Sequence, residues 1–100
     1  KVEDRVKSDA QIIVARSAVK TNNEAKAREA YGKLLATAKG ELAAEALYYD
    51  AYFKNKDGLY DASNASVQKL TKDYSGYKYF GAKGLVLMAK NFYGLKLTFP

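Results

Sequence analysis

The sequence contains no cysteine and no histidine. The absence of cysteine excludes disulfide bonds and thiolate chemistry, and the absence of both residues removes the usual zinc ligands. A nucleophile would need lysine or a carboxylate as its base, and no serine and lysine stand at a recognisable spacing for that role. We therefore expect a protein that is not an enzyme and that uses no cofactor or metal.

Proline and long apolar runs are also scarce. The one proline is Pro100, and the longest apolar run, Leu85 to Ala89, is far too short to cross a bilayer. Nothing at the N-terminus resembles a signal peptide. The sequence begins at Lys1 without a methionine, so we expect it to be a fragment of a longer protein.

Charge of both signs is present, with a basic excess. Seventeen lysine and arginine residues face eleven acidic residues, for a formal net charge of +6. The charges are interspersed along most of the chain, which is typical of solvated helix faces. Only the last predicted helix departs from this distribution.

Alanine, leucine, lysine and glutamate are frequent, and apolar residues recur at intervals of three and four, which predicts helices. Turn-forming pairs such as Lys39-Gly40, Asp57-Gly58 and Ser75-Gly76 separate the periodic stretches. The prediction is five helices, over Val2–Lys20, Glu24–Ala38, Glu41–Lys56, Leu59–Tyr74 and Tyr77 to about Leu95.

The periodicity also predicts which face of each helix packs. For the first helix this face is Val6, Ala10, Ile13, Val14 and Ala18. The second presents Ala27, Ala30, Tyr31, Leu34 and Leu35, and the third presents Leu42, Ala46, Tyr49 and Phe53. The fourth presents Ala62, Ala65, Ser66 and Leu70.

Short connections make neighbouring helices antiparallel, and such hairpins form either a bundle or a solenoid. An internal repeat favours the solenoid. At an offset of 35 residues, Ala27 aligns with Ala62 and Leu35 with Leu70, and the turns of the two halves correspond. This offset matches the length of one helix-turn-helix repeat.

Small residues stand where the helices of such a repeat would cross closely, at Ala15, Ala27, Ala62 and Ala89, and Tyr31 supplies an aromatic residue in the second helix. With these residues the chain resembles two tetratricopeptide repeats and the first helix of a third, over roughly residues 9–95. Asp50, Ser66 and Lys69 depart from that pattern. A second register, one residue later, places Leu47 and Ala51 in the slots of Ala46 and Asp50; it suits hydrophobicity better but requires an insertion in the turn.

The resemblance implies an all-α domain over residues 1–100, a short solenoid of about two and a half stacked repeats. It also implies a scaffold that binds a peptide or helix of a partner protein in a concave groove. The stretches 44–49 and 77–89 are similar to stretches of bacterial cell-envelope tetratricopeptide proteins, so the resemblance implies an envelope or periplasmic location.

In this family the first helix of each repeat lines the concave surface, and the third predicted helix is rich in aromatic residues. Leu47, Tyr49 and Phe53 can fill the core, which leaves Glu45, Tyr48 and Tyr52 for the groove. Tyrosine is effective at interfaces because it is large, rigid and amphipathic. The alternative is that these aromatic residues simply pack in the core.

The last predicted helix carries four lysines and no acidic residue, and its apolar residues wrap almost around it. Lys83 and Lys90 are candidate partner-binding residues. We favour an interior repeat whose neighbouring helix is absent, so that one face is bare or covered by self-association. The alternatives are a groove for an amphipathic peptide and a basic, aromatic surface for nucleic acid or an anionic membrane.

Overall fold

The computed structural model describes residues 2–98, with side chains described for residues 2–96, and it is all helical in that range. The five helices are α1 (Val2–Lys20), α2 (Glu24–Thr37), α3 (Gly40–Lys56), α4 (Tyr60–Asp73) and α5 (Lys78–Thr98). The prediction of five helices is confirmed, and most boundaries agree within one residue.

The turns end the helices as their residues predict. Asn23 caps α2, its Oδ1 accepting a hydrogen bond of 3.3 Å from the backbone N–H of Lys26. Gly58 follows α3 with a φ of 76°, a left-handed conformation that favours glycine. Short turns of this kind reverse the chain, so consecutive helices run antiparallel.

The helices stack in an elongated array with extents of 50 × 29 × 18 Å. Each helix packs on the next one in the sequence, and α5 also packs on α3. The predicted fold class, a short solenoid of stacked antiparallel hairpins, is confirmed. Because α1, α3 and α5 alternate with α2 and α4, the three odd-numbered helices line one side of the stack.

Two hydrophobic clusters lie in the stack and α3 contributes to both. The first joins α1, α2 and α3 and consists of Ile12, Ala15, Ala18, Ala27, Ala30, Tyr31, Leu34, Ala46 and Phe53. The second joins α3, α4 and α5 and consists of Ala44, Leu47, Tyr48, Ala51, Val67, Leu70 and Leu87. The predicted core roles of Leu47 and Phe53 are confirmed.

Small residues of α3 and α4 are in direct contact where the two helices cross. Ala51 and Ser63 are both fully buried, and the Ser63 hydroxyl donates a 2.7 Å hydrogen bond to the Ala51 carbonyl oxygen. The prediction that Ala62 and Ala89 lie buried at crossings is wrong, because both are exposed. The second repeat register, shifted by one residue, agrees with the observed burial. It aligns Ala15 with Ala51, 36 positions later, and both residues are buried.

The packing faces of two helices also differ from the prediction. Along α1, Val6, Ala10, Ile13 and Val14 are exposed, and the buried residues are Ser8, Ile12, Ala15 and Ala18. Along α4, Ala62 and Ala65 are exposed, and Ser63, Asn64, Ser66, Val67 and Leu70 are buried. Small residues at these helix crossings bring the backbones close, so a serine is buried in each helix, Ser8 in α1 and Ser63 in α4.

A buried polar network attaches α5 to the stack. Asn91 is fully buried, and its side-chain amide donates hydrogen bonds to Ser63 Oγ at 2.7 Å and Asn64 Oδ1 at 2.8 Å. Its Oδ1 accepts a 2.8 Å hydrogen bond from Asn55 Nδ2. All hydrogen-bonding atoms of the Asn91 side chain are therefore engaged, as burial of an amide requires.

Candidate functional site

A groove of about 320 Å³ runs between α1, α3 and α5 on the side that these helices share. We call it the concave groove. Its walls are Arg16, Val19 and Lys20 of α1, Tyr31 of α2, Glu45 and Tyr49 of α3, and Tyr79, Phe80 and Lys83 of α5. Residues from four helices therefore meet at one surface, although they lie up to 67 positions apart in the sequence.

A buried carboxylate lies at the base of the concave groove. Glu45 is 3% exposed, and Arg16 donates to it from Nε at 3.0 Å and from Nη2 at 2.6 Å. The Tyr31 hydroxyl donates a third hydrogen bond, of 2.7 Å, to Oε2. A buried carboxylate requires such compensation, because an unpaired charge out of water is costly.

These contacts fix the charge states in the groove. Burial, together with the hydrogen bond to Glu45, raises the pKa of the Tyr31 hydroxyl above its usual 10.0. The hydrogen bond to Glu45 raises the pKa of Arg16. At neutral pH Tyr31 is therefore an uncharged donor, and the groove carries the positive charges of Arg16, Lys20 and Lys83 against the single negative charge of Glu45.

Aromatic rings form the middle of the groove wall. Tyr49 stacks on Tyr31 with ring centroids 4.2 Å apart and an interplanar angle of 14°. Tyr48 meets Tyr49 edge to face at 5.1 Å and lies 6.2 Å from Phe80. Burial raises the pKa of Tyr48 and that of Tyr49, so both rings are neutral at physiological pH.

The wall that α5 supplies carries an exposed aromatic ring. Tyr79 is 66% exposed and meets Phe80 edge to face at 5.0 Å. The Lys83 ammonium lies 4.8 Å from the ring centroid of Tyr48 and 5.3 Å from that of Tyr79. These distances are typical of cation–π contacts, so the rim combines an exposed ring with a positioned charge.

The sequence-predicted partner-binding residues do not all lie in this groove. Glu45 and Lys83 line it, and Tyr48 lies directly beneath Lys83. Tyr52 is half-buried outside the groove, with the Lys56 ammonium 5.6 Å from its ring. Lys90 is exposed on α5 and does not line the groove. Their role in binding a partner stays a prediction.

Of the residues expected in the groove, Glu45 lines it but is buried, and Tyr48 lies in the core instead. Glu45 is buried because Arg16 and Tyr31 satisfy its carboxylate. Tyr48 is 9% exposed because its ring packs in the cluster that α3, α4 and α5 form. Tyr49, which was expected in the core, is half-buried; it packs against both hydrophobic clusters and also lines the groove.

Sequence reasoning missed Arg16 and Tyr79. No local signal identifies Arg16, because its partner Glu45 is 29 positions away. Tyr79 lies in the last helix, which is rich in aromatic residues and has no acidic residue, and this composition indicates that the helix is a candidate binding surface. Helical periodicity alone does not place Tyr79 beside α1 and α3.

Within residues 2–98, no three acidic side chains come together in a way that would hold a metal ion. No helix in the same range combines the length and the apolar character needed to cross a membrane. Comparisons of this chain with protein-family models, with curated proteins and with solved structures find no match. The geometry of the concave groove therefore carries the functional proposal.

Proposed function

We propose that this domain is a scaffold that binds a peptide or helix of a partner protein in the concave groove. The observation that carries the proposal is that the three alternate helices α1, α3 and α5, together with Tyr31 of α2, line one groove, with Tyr79 exposed at the rim. The sequence resemblance to bacterial cell-envelope proteins extends the proposal to envelope assembly. The proposed activity is binding and involves no cofactor or chemical step.

The groove suits a protein segment because its contact groups are already held in place. Tyr31, Tyr49 and Glu45 fix one another by stacking and hydrogen bonding, so little side-chain entropy is lost there on binding. Exposed tyrosine beside a positive charge offers a partner both apolar area and a polar contact. The positive excess favours a segment with acidic side chains.

Two exposed apolar side chains provide a test of the groove. Tyr79 is 66% exposed and lines the groove, whereas Leu59, between α3 and α4, is 54% exposed and lies on neither the groove nor α5. We expect Tyr79→Ala to weaken capture of the partner about tenfold or more, the size typical of an interface anchor, and Leu59→Ala to leave it within about twofold. Neither substitution should unfold the domain, because both side chains are largely in water.

The measurement is affinity capture from a cell-envelope extract with both variants and the unsubstituted domain, after nuclease treatment and a moderate salt wash. A specific protein lost only with Tyr79→Ala supports the proposal and identifies the partner. Equal capture by both variants would show that binding does not use the groove. Retention of nothing but nucleic acid or lipid would refute a protein scaffold.

A second candidate function is binding of an anionic polymer or membrane through α5. This helix carries Lys78, Lys83, Lys90 and Lys96 and no acidic residue, and Tyr79, Phe92 and Tyr93 are exposed on it. Lysines neutralise phosphates while aromatic rings stack on bases or enter a lipid interface. Such binding would fall steeply with added salt, whereas capture by aromatic contacts in the groove would be less sensitive.

A further inference from the structure

α5 has an apolar face that no described part of the chain covers. It consists of Ala82, Leu85, Val86, Ala89, Phe92 and Tyr93, all exposed, and we call it the outer face. The opposite side of α5 packs on α3 and α4 through Gly84, Leu87 and Asn91. An exposed apolar stripe along a helix is typical of an interaction surface.

The residue pattern of the outer face also occurs in α1 and in α3, where the residues that make it are buried. The pattern is a small residue, a larger one four positions later and a small one three positions after that. It is made by Ser8, Ile12 and Ala15 in α1, by Ala44, Tyr48 and Ala51 in α3, and by Ala82, Val86 and Ala89 in α5. The first two sets are buried and the third is exposed. Ile12 and Ala15 lie in the cluster of α1, α2 and α3, and the α3 set lies in the cluster of α3, α4 and α5, where Tyr48 contacts Phe80.

The inner face of α5 supports the same correspondence. Ala46 and Phe53 of α3 lie in the cluster that α3 forms with α1 and α2. The residues 38 positions after them are Gly84 and Asn91 of α5, and both of these contact α4. The same offset relates Ala51 to Ala89. Both faces of α5 thus correspond to those of α3, and the outer face is the one on which α3 receives a helix.

We propose that the outer face of α5 binds an acidic amphipathic helix of a partner protein, packed as α2 packs on α1 and as α4 packs on α3. The two helices that occupy the corresponding faces share one pattern, a small residue with larger apolar residues four and seven positions later: Ala27, Tyr31 and Leu34 in α2, and Ser63, Val67 and Leu70 in α4. The small residues let the helix axes approach closely.

Charge specifies the occupant further. Outside the groove α5 contributes Lys78, Lys90 and Lys96 and no acidic residue, so an incoming helix with acidic flanks meets only positive charge from α5. This surface is distinct from the concave groove, because none of the six residues of the outer face lines the groove. Substitutions can therefore test the two surfaces separately.

A peptide derived from α4 is a direct probe, because α4 already occupies the corresponding face of α3. The probe is residues 59–74 with Lys69→Glu and Lys72→Glu, two positions that are exposed in the stack. The measurement is a titration of the isotope-labelled domain followed by amide chemical shifts. We expect saturable shifts at Ala82, Val86 and Ala89.

Two protein variants decide whether the outer face is used. Ala89→Leu places a larger side chain where the close crossing occurs and should weaken binding about tenfold, the effect expected for overpacking of a helix interface. Ala36→Leu changes another exposed alanine, on α2, and should leave the affinity within about twofold. The peptide without the two glutamate substitutions should bind more weakly, and added salt should reduce the difference.

Absence of saturable shifts, or shifts that Ala89→Leu does not reduce, would overturn the proposal. Sedimentation that shows a dimer dissociated by Ala89→Leu would assign the outer face to a second copy of the chain instead. Binding of phosphatidylglycerol vesicles that is lost in Ala89→Glu and that the peptide does not compete would assign it to a lipid surface.

Discussion

Glu45→Gln tests whether the buried ion pair at the base of the concave groove contributes to stability. The substitution keeps the shape of the side chain but removes its charge and replaces one acceptor oxygen with a donor nitrogen. In the native protein the two oxygens accept three hydrogen bonds, two from Arg16 and one from Tyr31. The amide can accept from Arg16 at one position only, and its nitrogen opposes the other donor.

The expected loss follows from these contacts. A hydrogen bond to a charged group contributes about 1.5–3 kcal/mol to stability. The Arg16 side chain is 54% exposed, so it regains hydration when its partner loses charge, which places the cost near the lower end. We expect the free energy of unfolding to fall by about 2 kcal/mol, less than the roughly 3–5 kcal/mol for breaking a fully buried pair.

Urea unfolding followed by circular dichroism measures this difference, with Glu41→Gln as the control. Glu41 is exposed one turn earlier on α3, and its substitution should change the free energy by no more than about 0.5 kcal/mol. A loss for Glu45→Gln within the same 0.5 kcal/mol would refute the inference that the buried ion pair contributes to stability. A double-mutant cycle with Arg16→Gln then isolates the coupling between the two residues.

Two further predictions concern packing and pH. Ala51→Leu, at the crossing with Ser63, should lower the free energy of unfolding by about 1–3 kcal/mol, because the larger side chain overpacks the crossing. Ala62→Leu, one position away from Ser63 and exposed, should change it by less than about 0.5 kcal/mol. The reverse order in urea unfolding would contradict the burial of Ala51 and Ser63 at this crossing. Because the folded pKa of Tyr31 is raised above its unfolded value near 10.0, its contribution to stability is complete below that pH and is lost as pH rises past it. Tyr31→Phe should therefore make the decline of the melting temperature between pH 9 and 11 shallower, and an unchanged decline would argue against this assignment.

The helices were predictable because their ends are marked and their interiors are periodic. Turn pairs such as Asp57-Gly58 end the helices where the structure ends them. The rotation of α1 and α4 was not predictable from the same pattern. Hydrophobicity favours the burial of Ala62 over Ser63, but the contact with Ala51, whose carbonyl oxygen accepts the Ser63 hydroxyl hydrogen bond, buries Ser63 instead.

The groove was predictable only in part. In a stack of hairpins the odd-numbered helices alternate with the even-numbered ones, so the third and fifth helices are expected to contribute to one surface. The burial of Glu45 could not be predicted, because it depends on Arg16 from another helix and on the Tyr31 hydroxyl. Nothing in the local sequence around a glutamate indicates that a distant arginine will neutralise it.

The hydrogen bonds of Asn91 also determine the orientation of α5 about its own axis. Purely apolar neighbours would tolerate small rotations, but the Asn91 amide needs Ser63, Asn64 and Asn55 in fixed directions. A rotation by one residue, about 100°, would leave the amide and its partners unbonded. Ala82 and Ala89 are thus presented in one direction before any helix arrives, so the entropy cost of ordering falls on the incoming helix.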